Sequence, residues 1–260
     1  MTGTGIVAEH IDTVSRRDHL KEFQRDYQPG QHVSAFGPTG RGKSLLMYQQ
    51  LGVVCSPDMQ VISLHGKIKG RDPVINQASK NLNLRVVDTL PGHQRQRYDR
   101  KVKKVNGYIL VPLSKPLDNP DEETRILQRE FRRAMRQNYR TTKRKTITHI
   151  NEAHQTQYEL KLQREAEAAL MRGGPDNAEW NEAQRGRYLS YHTYNAPEHL
   201  IVFYDDDADN RKRYSDFGVA DPDYIYYVTS GLKTARSKDG RTISQALYIR
   251  RGGGMYVIDM

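Results

Sequence analysis

Apolar residues along the chain gather in short blocks divided by polar stretches of helical period. Residues 32–36, 59–64, 84–87, 108–113, 146–150 and 199–204 are blocks of strand length, and continuous blocks of this kind read as strands buried on both faces. Residues 247–251 and 255–258, on either side of Gly252-Gly253-Gly254, read as a closing β-hairpin. Helical stretches cover 15–27, 44–51, 122–140 and 155–171, with Pro29-Gly30 and Arg172-Gly173-Gly174-Pro175 as breaks. The 122–140 stretch is the most amphipathic: at about 100° per residue, Leu127, Phe131, Ala134 and Met135 share one side. Alternating strands and helices predict an α/β fold, a mostly parallel sheet flanked by helices, with a short C-terminal β-hairpin. Residues 1–29 read as a helical lead-in and 30–260 as the main domain.

The turn between the 32–36 strand and the 44–51 helix is Gly37-Pro38-Thr39-Gly40-Arg41-Gly42-Lys43-Ser44, followed by Leu45. It fits the phosphate-binding pattern G-x-x-x-x-G-K-[ST] at every fixed position. Glycines let backbone N–H groups turn in around a phosphate, Lys43 puts a charge on the β and γ phosphates, and the Ser44 hydroxyl ligates Mg²⁺. The following helix presents its positive N-terminus to the anion. ATP and Mg²⁺ are therefore the expected cofactors. No second cation near the loop is evident for the γ-phosphate.

Charge extends the picture. The 260 residues carry a formal +10 with a pI near 9.6, which points to a polyanionic partner beyond the nucleotide. Residues 125–145 alone hold nine basic residues against one acid, Glu130. Arg125, Arg129, Arg132, Arg136 and Arg140 fall in one narrow arc opposite the apolar side. Like charges at i, i+4 repel, so the row suits contacts with nucleic-acid phosphates better than a plain solvated face. No apolar run approaches the ~20 residues of a membrane span. The first residues lack a signal-peptide pattern, and the one cysteine, Cys55, excludes an internal disulfide. A cytoplasmic protein is expected.

A second chemical motif ends the 146–150 strand: Asn151-Glu152-Ala153-His154. It resembles the Asp-Glu-Ala-His ending of the metal-side strand in additional-strand catalytic-glutamate ATPases of RecA-like P-loop fold. The resemblance implies that Glu152 orients and deprotonates the attacking water, while Asn151 stands where an Asp holds hydrated Mg²⁺. Asn keeps an acceptor oxygen but lacks the charge. Residues 185–195, Arg185-Gly186-Arg187 running on to Thr193 and Asn195, resemble the FtsK/HerA group of DNA-pumping ATPases, in which such a turn enters a strand ending in a polar sensor. The likeness implies that Thr193 or Asn195 is the sensor and that Arg185 and Arg187 complete a neighbouring subunit's site; the competing reading pairs both arginines with Glu179 or Glu182. Residues 200–204 with Asp205-Asp206-Asp207 form a competing metal-side strand, disfavoured by the little sequence left for a sensor strand after it.

The resemblance spans about residues 30–258 and implies an ATP-hydrolysing motor that moves double-stranded DNA as a homo-oligomeric ring, a hexamer or pentamer. Small stand-alone members of the group are often virus or plasmid motors that move double-stranded DNA, for instance into a capsid, which would add a capsid portal vertex as partner and the host cytoplasm as location. Asn151 keeps open a degenerate ATP- and DNA-binding switch that does not pump. A small-molecule kinase is disfavoured by Glu152 and the basic helix.

Overall fold

The computed structural model describes residues 11–56, 58–70, 72–139, 145–236 and 242–259. Its strands are β1 (Thr13–Val14), β2 (Val33–Phe36), β3 (Met59–Leu64), β4 (Leu84–Val87), β5 (Gly107–Leu110), β6 (Lys145–Ile150), β7 (Asn177–Ala183), β8 (His199–Val202), β9 (Thr234–Arg236), β10 (Thr242–Ser244), β11 (Ala246–Arg250) and β12 (Met255–Ile258). Between them lie α1 (Arg16–Asp26), α2 (Lys43–Val54), α3 (Pro73–Asn81), α4 (His93–Lys103), α5 (Pro120–Tyr139), α6 (Gln163–Arg172), α7 (His192–Asn195), α8 (Ala208–Arg211) and α9 (Pro222–Ser230).

Ten strands form one sheet in the order β1-β12-β11-β8-β2-β7-β6-β3-β5-β4. Pairing is parallel except where β11 runs antiparallel to β8 and to β12, the hairpin expected at the end of the chain. β9 and β10 form a separate antiparallel pair. Successive strand side chains point to opposite faces, and they enter two different cores. Val33 and Ala35 of β2 join Val61, Ile147 and Trp180, covered by Leu46 and Met47 of α2, Phe23 of α1 and Ile75 of α3. Phe36, Ile62, Leu64 and Ile150 face the other way, onto Leu127, Phe131, Ala134 and Met135 of α5, Ala166 of α6 and Ile225 of α9. The result is three layers. The stretch read as a lead-in enters both sheet and core: β1 pairs with β12, and Phe23 packs edge-on against Trp180 with ring centroids 5.7 Å apart.

Two expectations fail. Residues 155–171 are not one helix: a π-helical turn, Gln155–Glu159, is separated from α6 by Lys161, whose φ is +52°. Residues 185–195 contain no strand; they form a 3₁₀ turn, Gly186–Tyr188, and the single turn α7. Tyr194 there stacks on Phe36 at 4.7 Å, so the segment covers the sheet instead of joining it. The missing strand lies earlier, as β7, between β2 and β6. Its composition hid it: Asn177, Glu179, Asn181 and Glu182 are polar, yet the last three are buried. Each has a partner, Asn177 accepting from Thr146, Asn181 donating to Glu179, and Glu182 bonding Ser44 and His149.

Candidate active site

β2 delivers the chain into the glycine loop at the carboxyl edge of the sheet. Gly37 has φ +142°, and a Cβ there would lie 2.6 Å from the Cβ of Phe203, so only glycine passes. Gly40 and Gly42, at φ +77° and +95°, curl the loop around open space, with nothing within 4 Å of where a Cβ would stand. α2 starts directly at Lys43. The Lys43 ammonium donates to the carbonyl oxygens of Gly37 (2.6 Å) and Pro38 (2.7 Å). Burial lowers its pKa, opposed by the nearby carboxylates of Glu182, Glu152 and Asp205. Arg41 points away from the loop and donates to Thr234 at 2.9 Å.

A cleft of about 330 Å³ opens over this loop, lined by Thr39, Gly40, Gly42, Lys43, Ser44, Leu45, Glu152, Glu182 and Gln184 among others. Asn151 and Glu152 sit just past β6. Asn151 donates Nδ2–H to Ser44 Oγ at 3.2 Å, and its buried Oδ1 has no hydrogen-bond partner among the described residues. Glu152 has a left-handed backbone, φ +62°, a conformation that costs a non-glycine residue about 1–3 kcal/mol and concentrates at functional sites. Its Oε1 accepts from Gln184, while Oε2 is hydrogen-bonded to nothing described and lies 3.5 Å from His154 Nδ1. Burial raises the Glu152 pKa, Lys43 opposing and Glu182 reinforcing it.

β7 and the residue that follows it contribute two side chains that sequence reasoning missed in this role, Glu182 and Gln184. Glu182 is 2 % exposed; its Oε2 accepts from Ser44 Oγ at 2.5 Å and its Oε1 lies 2.6 Å from His149 Nε2. Burial alone would push its pKa up, but the hydrogen bond and charge of His149, with Ser44 and Lys43, outweigh that and hold it below the ordinary value. Gln184 accepts from Thr39 of the loop and donates to Glu152, so it bridges the loop and the candidate base. It stands at the end of a central strand, the place assigned to the sensor; Asn195 is half-buried in α7, outside the cleft-lining residues, and Thr193 accepts from Gln157. A second cation is also present: Lys67 lines the cleft, paired with Asp72 at 2.7 Å.

The donor set suits Mg²⁺. Ser44 Oγ, the unpartnered Asn151 Oδ1 and the Glu182 carboxylate are hard oxygens, and Mg²⁺ typically takes few protein ligands beside phosphates and water. No group of three His, Cys, Asp or Glu able to cage a metal occurs among the described residues.

No protein-family model matches the chain, and no curated protein matches it. Solved structures do. The genome packaging NTPase B204 from Sulfolobus turreted icosahedral virus 2, in complex with AMP, is 15% identical over 90% of this chain and 98% of that one, with a TM-score of 0.57. The DNA-packaging ATPase B204 from Sulfolobus turreted icosahedral virus is 14% identical over the same shares, also at 0.57. This chain has the RecA-like P-loop NTPase fold.

On this P-loop NTPase fold the remaining candidates separate. Arg185 is exposed, and its side chain has no ion pair or hydrogen bond among the described residues. Arg187 is held by Asp209 at 3.5 Å and lies over the Tyr188 ring. Neither pairs with Glu179 or Glu182, which are buried. The Asp205–207 cluster makes a turn and a helix cap: Asp205 accepts from Asp207 N and Asn210, and Asp207 caps α8. The arginine row is partly neutralised. Arg129 pairs with Glu130, while Arg132 and Arg136 share Glu165 of α6, an acid that the α5 sequence alone did not reveal. Arg125 is exposed. Arg132, Arg136, Lys161, Arg164 and Glu165 line a cleft of about 710 Å³ between α5 and α6, and no phosphate-loop residue is among its lining. Arg140, with Lys143 and Arg144, lies outside the described residues.

Proposed function

We propose that the protein is a motor that hydrolyses ATP to ADP and phosphate and translocates double-stranded DNA as a ring of identical subunits, in viral genome packaging. The observation that carries the reading is Glu152: a half-buried carboxylate at a phosphate cradle, with one oxygen fixed by Gln184 and the other 3.5 Å from His154 Nδ1, without a hydrogen bond among the described residues. Glu152 lines a cleft roomy enough for a water, so its carboxylate can orient the water and take its proton. Loop amides from Gly40 to Ser44 hold the phosphates, and Lys43 exchanges the Gly37 and Pro38 carbonyls for phosphate oxygens. Mg²⁺, held through Ser44 with Asn151 and Glu182 behind it, would neutralise charge on the phosphates. The fold likeness to packaging NTPases, the +10 charge and the exposed, unpaired Arg185 support the motor over a solitary hydrolase.

The test is phosphate release with and without double-stranded DNA. Glu152→Gln is expected to lower turnover 10²–10⁴-fold, the usual worth of a positioned base, with nucleotide still bound. Unchanged turnover would overturn the assignment. A switch that binds ATP and DNA without pumping is favoured by one observation, the neutral Asn151. It predicts no steady-state release in the unaltered protein.

A further inference from the structure

We propose that Glu182 is the acidic partner of the metal-side serine: the negative charge absent at Asn151 is supplied from the neighbouring strand. The inference rests on the nucleotide-and-Mg²⁺ reading of the site. Register places the two side chains together. Ile150 of β6 is opposite Asn181 of β7, so Asn151, one step beyond, is level with Glu182. The shift is sideways by one strand, about 4.8 Å, at constant height in the sheet. On its other side Glu182 is opposite Ala35, two residues before the phosphate loop. Alternation along β7 turns Glu182 to the face of Ala178 and Trp180, which is the face covered by α2.

Hydrogen bonding gives the roles. Ser44 has one proton, and the contact of its Oγ to Glu182 Oε2 at 2.5 Å is the shorter of its two; Asn151 donates to Ser44 Oγ at 3.2 Å through Nδ2. A serine that gives its proton to a carboxylate keeps a lone pair for a cation. The amide at 151 cannot be that acceptor while it donates, whereas the carboxylate can do nothing but accept.

The carboxylate is also held still. His149 bonds its other oxygen, Ser63 bonds His149 Nδ1 at 2.7 Å, and His65 and Tyr48 close on Ser63 at 3.0 Å each. Tyr48 belongs to α2, the helix that begins at Lys43 and Ser44. A buried chain thus runs from the helix through β3, β6 and β7 and back to the second residue of that helix. The competing explanation is that Glu182 and His149 are a structural pair with no part in cation binding.

Binding of AMPPNP, measured with excess Mg²⁺ and again in EDTA, separates these. Glu182→Gln should lose about 10–100-fold of the Mg²⁺-dependent affinity, the range for a partner oriented behind a ligand, and keep its EDTA affinity within about twofold. Asn151→Asp/Glu182→Gln should recover most of the loss, because the charge returns to the same level of the sheet. Equal losses in Mg²⁺ and EDTA, or an unaltered Mg²⁺ dependence in Glu182→Gln, would overturn the role. Should Glu182→Gln fail to fold, Asn151→Asp alone decides: a gain in Mg²⁺ affinity of less than about threefold means the charge was already present, and a larger gain means it was not. Absence of AMPPNP binding by the unaltered protein in both buffers would instead overturn the nucleotide reading itself.

Discussion

A base works best when its own proton affinity approaches the working pH, and burial moves Glu152 in that direction. Its folded pKa is raised above the ordinary carboxylate value of about 4.3, so the active, ionised form is present above the raised value and is lost as pH falls through it. The acid limb of kcat should therefore lie above the ordinary carboxylate range and disappear from the residual activity of Glu152→Gln. A limb at about pH 4, or one that persists in that variant, would assign it to another group. The left-handed backbone at Glu152 belongs to the turn that follows β6, two residues past Ile150, and that turn carries the carboxylate to the cleft.

The elements differ in how much of them the sequence made legible. β2, its glycine loop and α2 were legible because their information is local: apolar block, fixed glycine spacing, helical run. β7 was not, because its four polar residues are offset by partners on β6, α2 and β7 itself, none visible from the seven residues alone. Missing it moved the sensor to Asn195 and left Glu182 as a mere arginine partner. β7 also carries a measurable penalty. Glu179 is buried with its Oε2 unpartnered among the described residues, and burial pushes its pKa up to about 8. Between about pH 4.3 and that value the folded chain binds a proton that the unfolded chain does not, so stability falls as pH rises, by at most about 1.4 kcal/mol per unit. Glu179→Gln removes this dependence: its melting temperature relative to the parent should climb between pH 5 and 8, and a constant difference would refute it. On α5 and α6 the amphipathic face was legible and the cross-helix acid was not. Glu165→Gln should free Arg132 and Arg136 and strengthen binding to unrelated duplex sequences alike. It should also steepen the slope of log K against log salt by about one unit for each further phosphate that an arginine neutralises. Weaker or unchanged binding would return the arginines to a structural role.

For the molecule as a whole, the ring is a proposal with a sharp test in Arg185. Arg187 already has Asp209 and Tyr188, so Arg185 alone of this pair is available to a neighbour. Arg185→Ala subunits and Glu152→Gln subunits should each be nearly inactive, and mixtures should regain part of the ATPase, since a trans arginine is worth roughly 10³–10⁵ in rate. No regain from subunits shown to co-assemble would remove the trans role. The sheet has one further consequence, in the order of assembly. The phosphate-loop strand is flanked by β7 and β8, and the first described strand, β1, is seated on the last, β12. A chain emerging from the ribosome therefore holds its nucleotide motif long before it has the strands that give that motif a shape. Pairings this distant in sequence form slowly, and ATP can stabilise only the species that binds it. The nucleotide is thus a ligand of the finished sheet and no aid to the growing one, which leaves the early glycine loop and the apolar β2 and β3 to whatever shelters nascent chains.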